Sequence, residues 1–263
     1  MSETTATTTV TREDAGGVAT VTLQRPGISR AMRRELLEVV QGIAGDGSVR
    51  AVLVTGTGRA FCVGQDLAEH VESLRGDAGS SLSVVEDEYN PLVLALAGLR
   101  VPVVVGINGA CAGAGLGLAM AGDLRVAAAG AKFTTAFTGI GLSSDSALAA
   151  RLVHSVGVAR ATELLLLPDA FPAETALQWG LVHRVVEADR VADEARALAE
   201  RLATGPTAAY RAVKTVLASA PTDSLEETLA LEARLQTELG GTADHAEAVE
   251  AFLAKRPPRF TGR

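Results

Sequence analysis

The run Val103-Val104-Val105-Gly106-Ile107-Asn108-Gly109-Ala110-Cys111-Ala112-Gly113-Ala114-Gly115-Leu116-Gly117-Leu118 decides the fold. It opens on β-branched apolar residues, which suit a buried strand. It closes on small and apolar residues that can start a buried helix, with a glycine turn between. The same order stands about fifty residues earlier, where Ala51-Val52-Leu53-Val54 leads into Arg59-Ala60-Phe61-Cys62-Val63-Gly64-Gln65-Asp66-Leu67. A strand, a glycine turn and a helix start leave free backbone N–H groups at a positive dipole end. Two such turns brought together can grip one developing oxyanion from two sides. That points to chemistry on a carbonyl whose oxygen must hold negative charge.

Glycine turns after strands are also ordinary punctuation, and they serve in nucleotide-binding loops as well. A dinucleotide loop needs a small residue where Leu118 stands, and an acidic residue near Phe133. No Gly-Lys-Ser/Thr occurs, which removes a phosphate-binding P-loop.

The 263 residues make one large domain or a domain with an appendage, and the 48% hydrophobic content is ample for a core. The formal charge of -7 argues against nucleic acid or an anionic membrane as the main partner. Cys62 and Cys111 both sit in the glycine turns, without metal-ligand spacing. They read as small buried thiols of a protein in the reducing cytoplasm, and no metal is expected. Val101 to Gly122 lacks charge for about the length of a membrane span, but it holds Pro102, Asn108 and six glycines. A buried strand, loop and helix explain it better. The Ser/Thr-rich start, Met1 to Thr9, reads as a frayed terminus.

Outward from the two motifs, Thr7–Val10 and Val18–Leu23 read as strands around Gly16-Gly17. Met32–Ile43, Asp66–Leu74 and Glu86–Leu99 read as helices, and Gly76–Ser81 as a mobile loop. Pro102–Ile107 and Leu124–Ala127 read as strands around a short buried helix, Ala114–Ala121. Ser146–Ser155 and Arg160–Leu166 read as two helices, and Leu181–Val186 contains a strand. Ala192–Ala203, Thr207–Ala218, Leu225–Leu239 and Ala243–Leu253 are helices separated by Gly-Pro, Ala-Pro-Thr and Gly-Gly breakers. The fold class is therefore α/β, with a β/α core over residues 1–200 and a helical region over 201–263.

With these motifs in order, the chain resembles the crotonase (enoyl-CoA hydratase/isomerase) superfamily. The resemblance rests on Gly56–Leu67, Pro102–Leu118, Gly122-Asp123-Leu124-Arg125, Ala131-Lys132-Phe133, Trp179-Gly180-Leu181-Val182 and the ending Ala251 to Phe260. It implies a spiral of ββα units followed by C-terminal helices that build a trimer or hexamer. It implies an acyl-CoA substrate, coenzyme A being part of that substrate, with no separate cofactor. It assigns the oxyanion-hole N–H groups to Gln65 and Ala114. Cys62, Gly64, Asp66, Gly113 and Phe137 fall at substrate-side positions, though Asp66 and Asp123 also suit turn and capping roles. Lys255 and Phe260 match positions that touch the CoA nucleotide, sometimes that of a neighbouring subunit; a solvated basic tail is the other reading.

Departures from the family pattern narrow the chemistry. Two-glutamate hydratases carry glutamates where Gly117 and Phe137 stand here, and neither residue can move a proton. Asp145 remains, at the position of a catalytic aspartate in isomerases and a dehalogenase of the superfamily. The dehalogenase histidine is replaced by Asn90. Asp145 is thus either a proton shuttle or the N-cap of the next helix. Tyr89-Asn90-Pro91-Leu92-Val93, Ile140-Gly141-Leu142 and Asp145 are similar to the ring-1,2-epoxyphenylacetyl-CoA isomerase branch, while Ser144, Ala147-Leu148 and Arg30 depart from it. The expected function is an enoyl-CoA or ring-epoxide acyl-CoA isomerase. The alternatives are an enoyl-CoA hydratase and a catalytically weakened acyl-CoA binder. His70 either lines the acyl pocket or lies at the surface, and His154, His183 and His245 read as solvated.

Overall fold

The structure, a computed structural model, describes residues 8–76 and 82–263. Most of the segment read as a mobile loop, 77–81, lies outside the described residues, as does Thr7. Ten strands and ten α-helices follow one another along the described chain. They open as β1 (Val10–Ala15), β2 (Val18–Leu23) and α1 (Arg30–Ala44). A strand–strand–helix unit then recurs: β3 (Ala51–Gly56), β4 (Ala60–Cys62), α2 (Leu67–Gly76). After a π-helical turn at Val85–Tyr89 and α3 (Asn90–Ala97) it returns as β5 (Val103–Ile107), β6 (Ala110–Ala112), α4 (Ala114–Ala121). It returns again as β7 (Leu124–Ala128), β8 (Lys132–Thr134) and, beyond a 3-10 turn at Phe137–Ile140, α5 (Leu148–Leu166). The chain continues through β9 (Phe171–Pro172), α6 (Ala173–Gln178), β10 (Arg184–Val186) and α7 (Val191–Ala203). It ends in α8 (Thr207–Ser219), α9 (Leu225–Gly240) and α10 (Ala243–Leu253).

The first strand of each unit joins a six-stranded sheet in the order β1-β2-β3-β5-β7-β10; the second joins a four-stranded sheet in the order β4-β6-β8-β9. Within the large sheet β2, β3, β5, β7 and β10 run parallel and only β1 is antiparallel. Strands buried on both faces read as continuous apolar runs, which is why Ala51–Val54 and Val103–Val105 do not alternate in polarity. Ala51, Leu53 and Val104 turn to one face, against Ala195, Leu198 and Ala199 of α7. Val52, Val54, Val103 and Val105 turn to the other, into the main core with Met32, Leu36 and Val40 of α1 and Leu92 and Leu96 of α3.

Several boundaries differ from the sequence expectation for identifiable reasons. β1 runs from Val10 to Ala15 rather than ending at Val10, because an edge strand tolerates the exposed Glu13 and Asp14. Glu86–Leu99 is not one helix: Pro91 has no N–H to bond back to Asp87, and a π-helical turn precedes α3 at that point. The two helices expected around Arg160 form one element kinked at Gly157, whose φ is 75° and ψ 165°. None of the helices among the described residues is long and apolar enough to cross a membrane.

Candidate active site

The two glycine turns meet. Ile28 N–H donates to the Gly64 carbonyl at 2.8 Å, and Asp66 N–H to the Ile28 carbonyl at 3.1 Å, which holds the first turn open beside Gln65. Gly64 has φ 87° and Gly113 φ 54° with ψ -130°, backbone that side chains rarely adopt. A Cβ on Gly64 would stand 3.5 Å from the Ala114 nitrogen and 3.4 Å from the Ala112 oxygen. Ala114 is the first residue of α4, so its N–H has no intrahelical partner. Neither it nor the Gln65 N–H donates a hydrogen bond to another described residue.

Both turns open on a cavity of about 580 Å³, within the usual range for a small-molecule site. Its walls include Gly64, Gln65, Asp66, Gly113, Ala114, Phe137 and Asp145, brought together from five distant stretches of the sequence with Arg25, His70 and Tyr89. Most of its remaining lining is apolar, including Val63, Leu67, Leu82, Ile140 and Leu142. Cys62 does not line it. That thiol is fully buried between the sheets, and burial pushes it up to about 12. Lys255 and Phe260 stand outside the lining as well. Their segment folds back on its own chain, with Thr261 and Gly262 N–H donating to Asp244 and Arg50 donating to the Phe260 carbonyl.

Strained backbone follows directly on Asp145. Ser146 (φ 54°) and Ala147 (φ 57°) are consecutive non-glycine residues in the left-handed region, and Ala136 (φ 64°), also in the cavity wall, is a third. Such residues cost about 1–3 kcal/mol each and gather at functional sites. The helix-cap reading of Asp145 fails. α5 starts at Leu148, whose N–H bonds the Asp145 main-chain oxygen, and no side chain caps it. The carboxylate accepts only the Ser146 hydroxyl, at 2.7 Å, among the described residues. Burial raises the Asp145 carboxyl above its ordinary value, with the Ser146 hydrogen bond opposing.

The family's first glutamate position is filled as well as empty of charge. A Cβ on Gly117 would lie 2.5 Å from the Ser146 Cβ, so the Asp145-Ser146 segment takes the room a longer side chain at 117 would need. Phe137 supplies an apolar wall at the second position. Asp66 acts as the expected cap: Oδ1 accepts the Ala68 and Glu69 N–H groups, and Oδ2 pairs with Arg25. Asp123 accepts the Val103 N–H at 2.7 Å and Lys214 Nζ at 2.5 Å. His70 lines the cavity, which decides between its two readings. His154, His183 and His245 are exposed, as expected, and His183 Nδ1 also accepts the Arg125 N–H at 3.1 Å.

Two groups were missed from the sequence. Tyr89 stands in the stretch expected as the helix Glu86–Leu99 and has no expected role of its own, yet it is 1% exposed and in the cavity wall. Arg25 precedes Pro26 and likewise has no expected role. A scarce aromatic, beside a proline that breaks a helix, was the available signal for the first. Among the described residues no group of three or more His, Cys, Asp or Glu could hold a metal ion.

Comparison with known proteins gives the family and the fold. The sequence profile described as enoyl-CoA hydratase/isomerase matches residues 13–263. The chain is 42% identical over 251 residues to the 1,2-epoxyphenylacetyl-CoA isomerase of Escherichia coli, covering 94% of this chain and 96% of that one. It is 43% identical over 260 residues to a Rhodobacter capsulatus protein named "Probable enoyl-CoA hydratase", covering 97% and 98%. A crystal structure of a Mycobacterium abscessus protein of the enoyl-CoA hydratase/isomerase group superposes with a TM-score of 0.95 at 50% identity, over 97% of this chain and all of that one. The fold is the crotonase fold, with its two paired glycine turns and C-terminal helices, and the chain is a member of the enoyl-CoA hydratase/isomerase family.

Proposed function

We propose that the protein is an acyl-CoA isomerase in which Asp145 moves the proton. The observation that carries this reading is the exchange at positions 117 and 145. The room for a hydratase glutamate is occupied by Ser146, and the adjoining Asp145 places a carboxyl group in a mostly apolar cavity. The thioester oxygen lies between the Gln65 and Ala114 N–H groups. Asp145 takes a proton from the carbon α to the thioester, the charge passes to the oxygen held by the two N–H donors, and the proton returns at another carbon of the conjugated system. The substrate supplies its own coenzyme A and no further cofactor takes part. Enoyl and ring-epoxide acyl-CoA thioesters are the substrate class, the second favoured by the likeness to the Escherichia coli isomerase.

Residues 201–263 serve assembly into a trimer or a hexamer. Lys255 and Phe260 reach the CoA nucleotide of a neighbouring subunit, which accounts for their distance from the cavity of their own chain. The free, buried Cys62 and Cys111 suit the cytoplasm.

Hydratase activity is the second reading, supported by the hydratase name of the Rhodobacter relative. One experiment separates them. Acyl-CoA thioesters incubated with the protein are followed by mass spectrometry. Isomerisation leaves the mass unchanged and hydration adds one water. Rapid water addition to crotonyl-CoA would overturn the isomerase reading, and failure of any acyl-CoA to bind would overturn both.

A further inference from the structure

The Tyr89 hydroxyl is buried and finds no hydrogen-bond partner among the described residues. Its ring is fixed from both sides of the sequence. The Arg33 guanidinium lies 5.2 Å from the ring centroid, and Arg33 is itself held by Glu88 at 2.6 Å and by the Ile28 carbonyl at 3.1 Å. The residue ends the π-helical turn at Val85–Tyr89, an element that recurs at functional sites. Its side chain faces the same cavity as Asp145, and the negative charge of Asp145 is felt at the phenol. Burial, aided by Asp145 and opposed by the Arg33 guanidinium, keeps the phenol protonated. That guanidinium approaches the phenol oxygen without meeting hydrogen-bond geometry and could only donate to it, so the O–H is a donor without an acceptor among the described residues.

An unpaired buried hydroxyl costs about 1–3 kcal/mol, and native proteins leave few of them. Beside the polar groups Arg25, Asp66, His70 and Asp145 in a mostly apolar wall, this unpaired donor can serve a ligand by meeting an acceptor. We propose that Tyr89 recognises an oxygen carried by the acyl group of the substrate, so that the preferred thioesters bear an ether, epoxide or carbonyl oxygen in the acyl chain rather than a hydrocarbon chain alone. This rests on acyl-CoA binding in the cavity and does not require the isomerase chemistry. Tyr89 acts as a specificity residue; Asp145 remains the group that moves the proton.

The test uses two saturated thioesters of equal length, heptanoyl-CoA and 5-methoxypentanoyl-CoA, which differ by the exchange of one methylene for an ether oxygen. Calorimetry measures their affinities for the wild type and for Tyr89→Phe, with melting temperatures taken alongside. The wild type is expected to prefer the ether. Tyr89→Phe should weaken the ether roughly tenfold, the effect of losing one hydrogen bond. It should leave heptanoyl-CoA within about twofold, and its melting temperature should be equal or higher because an unpaired hydroxyl is gone. Equal effects on the two thioesters, or no change on either, would overturn the inference. Because neither probe can isomerise, a failure here is distinct from a failure of Asp145, which turnover reads.

Discussion

Asp145 is a carboxyl group whose surroundings favour its neutral form, and this has two consequences. Asp145→Asn keeps the shape and removes the proton exchange. Turnover should fall by about two to four powers of ten while acyl-CoA affinity stays close to that of the wild type, since in the proposed mechanism backbone N–H groups grip the thioester. Full activity in the variant would remove Asp145 from the mechanism. The second consequence concerns stability. A carboxyl whose folded pKa is raised binds more protons in the native state between its unfolded and folded values. Its stabilising effect is therefore complete below the ordinary value of 3.8 and is lost as pH rises through the raised value. Near neutral pH, Asp145→Asn should melt at or above the wild-type temperature, and the difference should shrink as the acid end is approached; a variant that melts lower at neutral pH would contradict the desolvated carboxylate. Gly117 belongs to the same scale. Introducing the hydratase glutamate, Gly117→Glu, puts a Cβ 2.5 Å from the Ser146 Cβ. The expected result is loss of isomerisation through displacement of Asp145, with no gain of hydration, both visible in the mass-spectrometric assay.

At the scale of elements, the site depends on how β7 is fastened. Arg125 is 7% exposed and donates Nε to the Leu181 carbonyl and a terminal nitrogen to the Gly122 carbonyl, both at 2.6 Å. It thereby ties the end of α4 and the start of β7 to the segment entering β10, and burial lowers its pKa to about 10. Arg125→Met keeps the aliphatic stem but strands two carbonyls; charge-assisted hydrogen bonds contribute about 1.5–3 kcal/mol each, so a loss of roughly 3 kcal/mol is expected in denaturant titration. An unchanged midpoint would mean that water replaces the guanidinium. These elements differed in how plainly the sequence announced them. α4 and α10 were readable to the residue, because Gly113 and Thr242 mark their starts and glycine or a break in periodicity marks their ends. The four-stranded sheet was not readable: its strands are two or three residues long, too short for alternation to register. The site divided in the same way. Gly64, Gly113 and Asp145 stand in local patterns and His70 lies one helical turn beyond Asp66, whereas Arg25 and Tyr89 are brought to the cavity wall by tertiary packing.

At the scale of the whole molecule, exposed apolar side chains such as Leu67, Leu94, Val158 and Leu166 are scattered over the core, and a further set gathers on the C-terminal helices. Val213 and Leu217 of α8, Leu225 and Leu229 of α9, and Phe252 and Leu253 of α10 are all exposed, Leu225 at 75% and Phe252 at 82%. A groove of about 710 Å³ lies between α8 and α9, walled by Val213, Val216, Leu229 and Leu235. Exposed apolar surface of this kind marks an interaction face, and its burial is worth about 25 cal/mol per Å². Light scattering at micromolar concentration is expected to give at least three times the 27.0 kDa chain mass. Leu229→Glu sets a charge in that groove and should shift the population toward monomer. The same variant tests where Lys255 and Phe260 act. If they hold the CoA nucleotide of a neighbouring subunit, dissociation should weaken binding of an acyl-CoA more than that of the matching acyl-pantetheine thioester, whose contacts fall on residues of the cavity around Asp145. Equal loss for both ligands would mean that the substitution damages the cavity itself. A wild-type protein that runs as a clean monomer would end the assembly proposal, and with it the assignment of the tail to a neighbouring site.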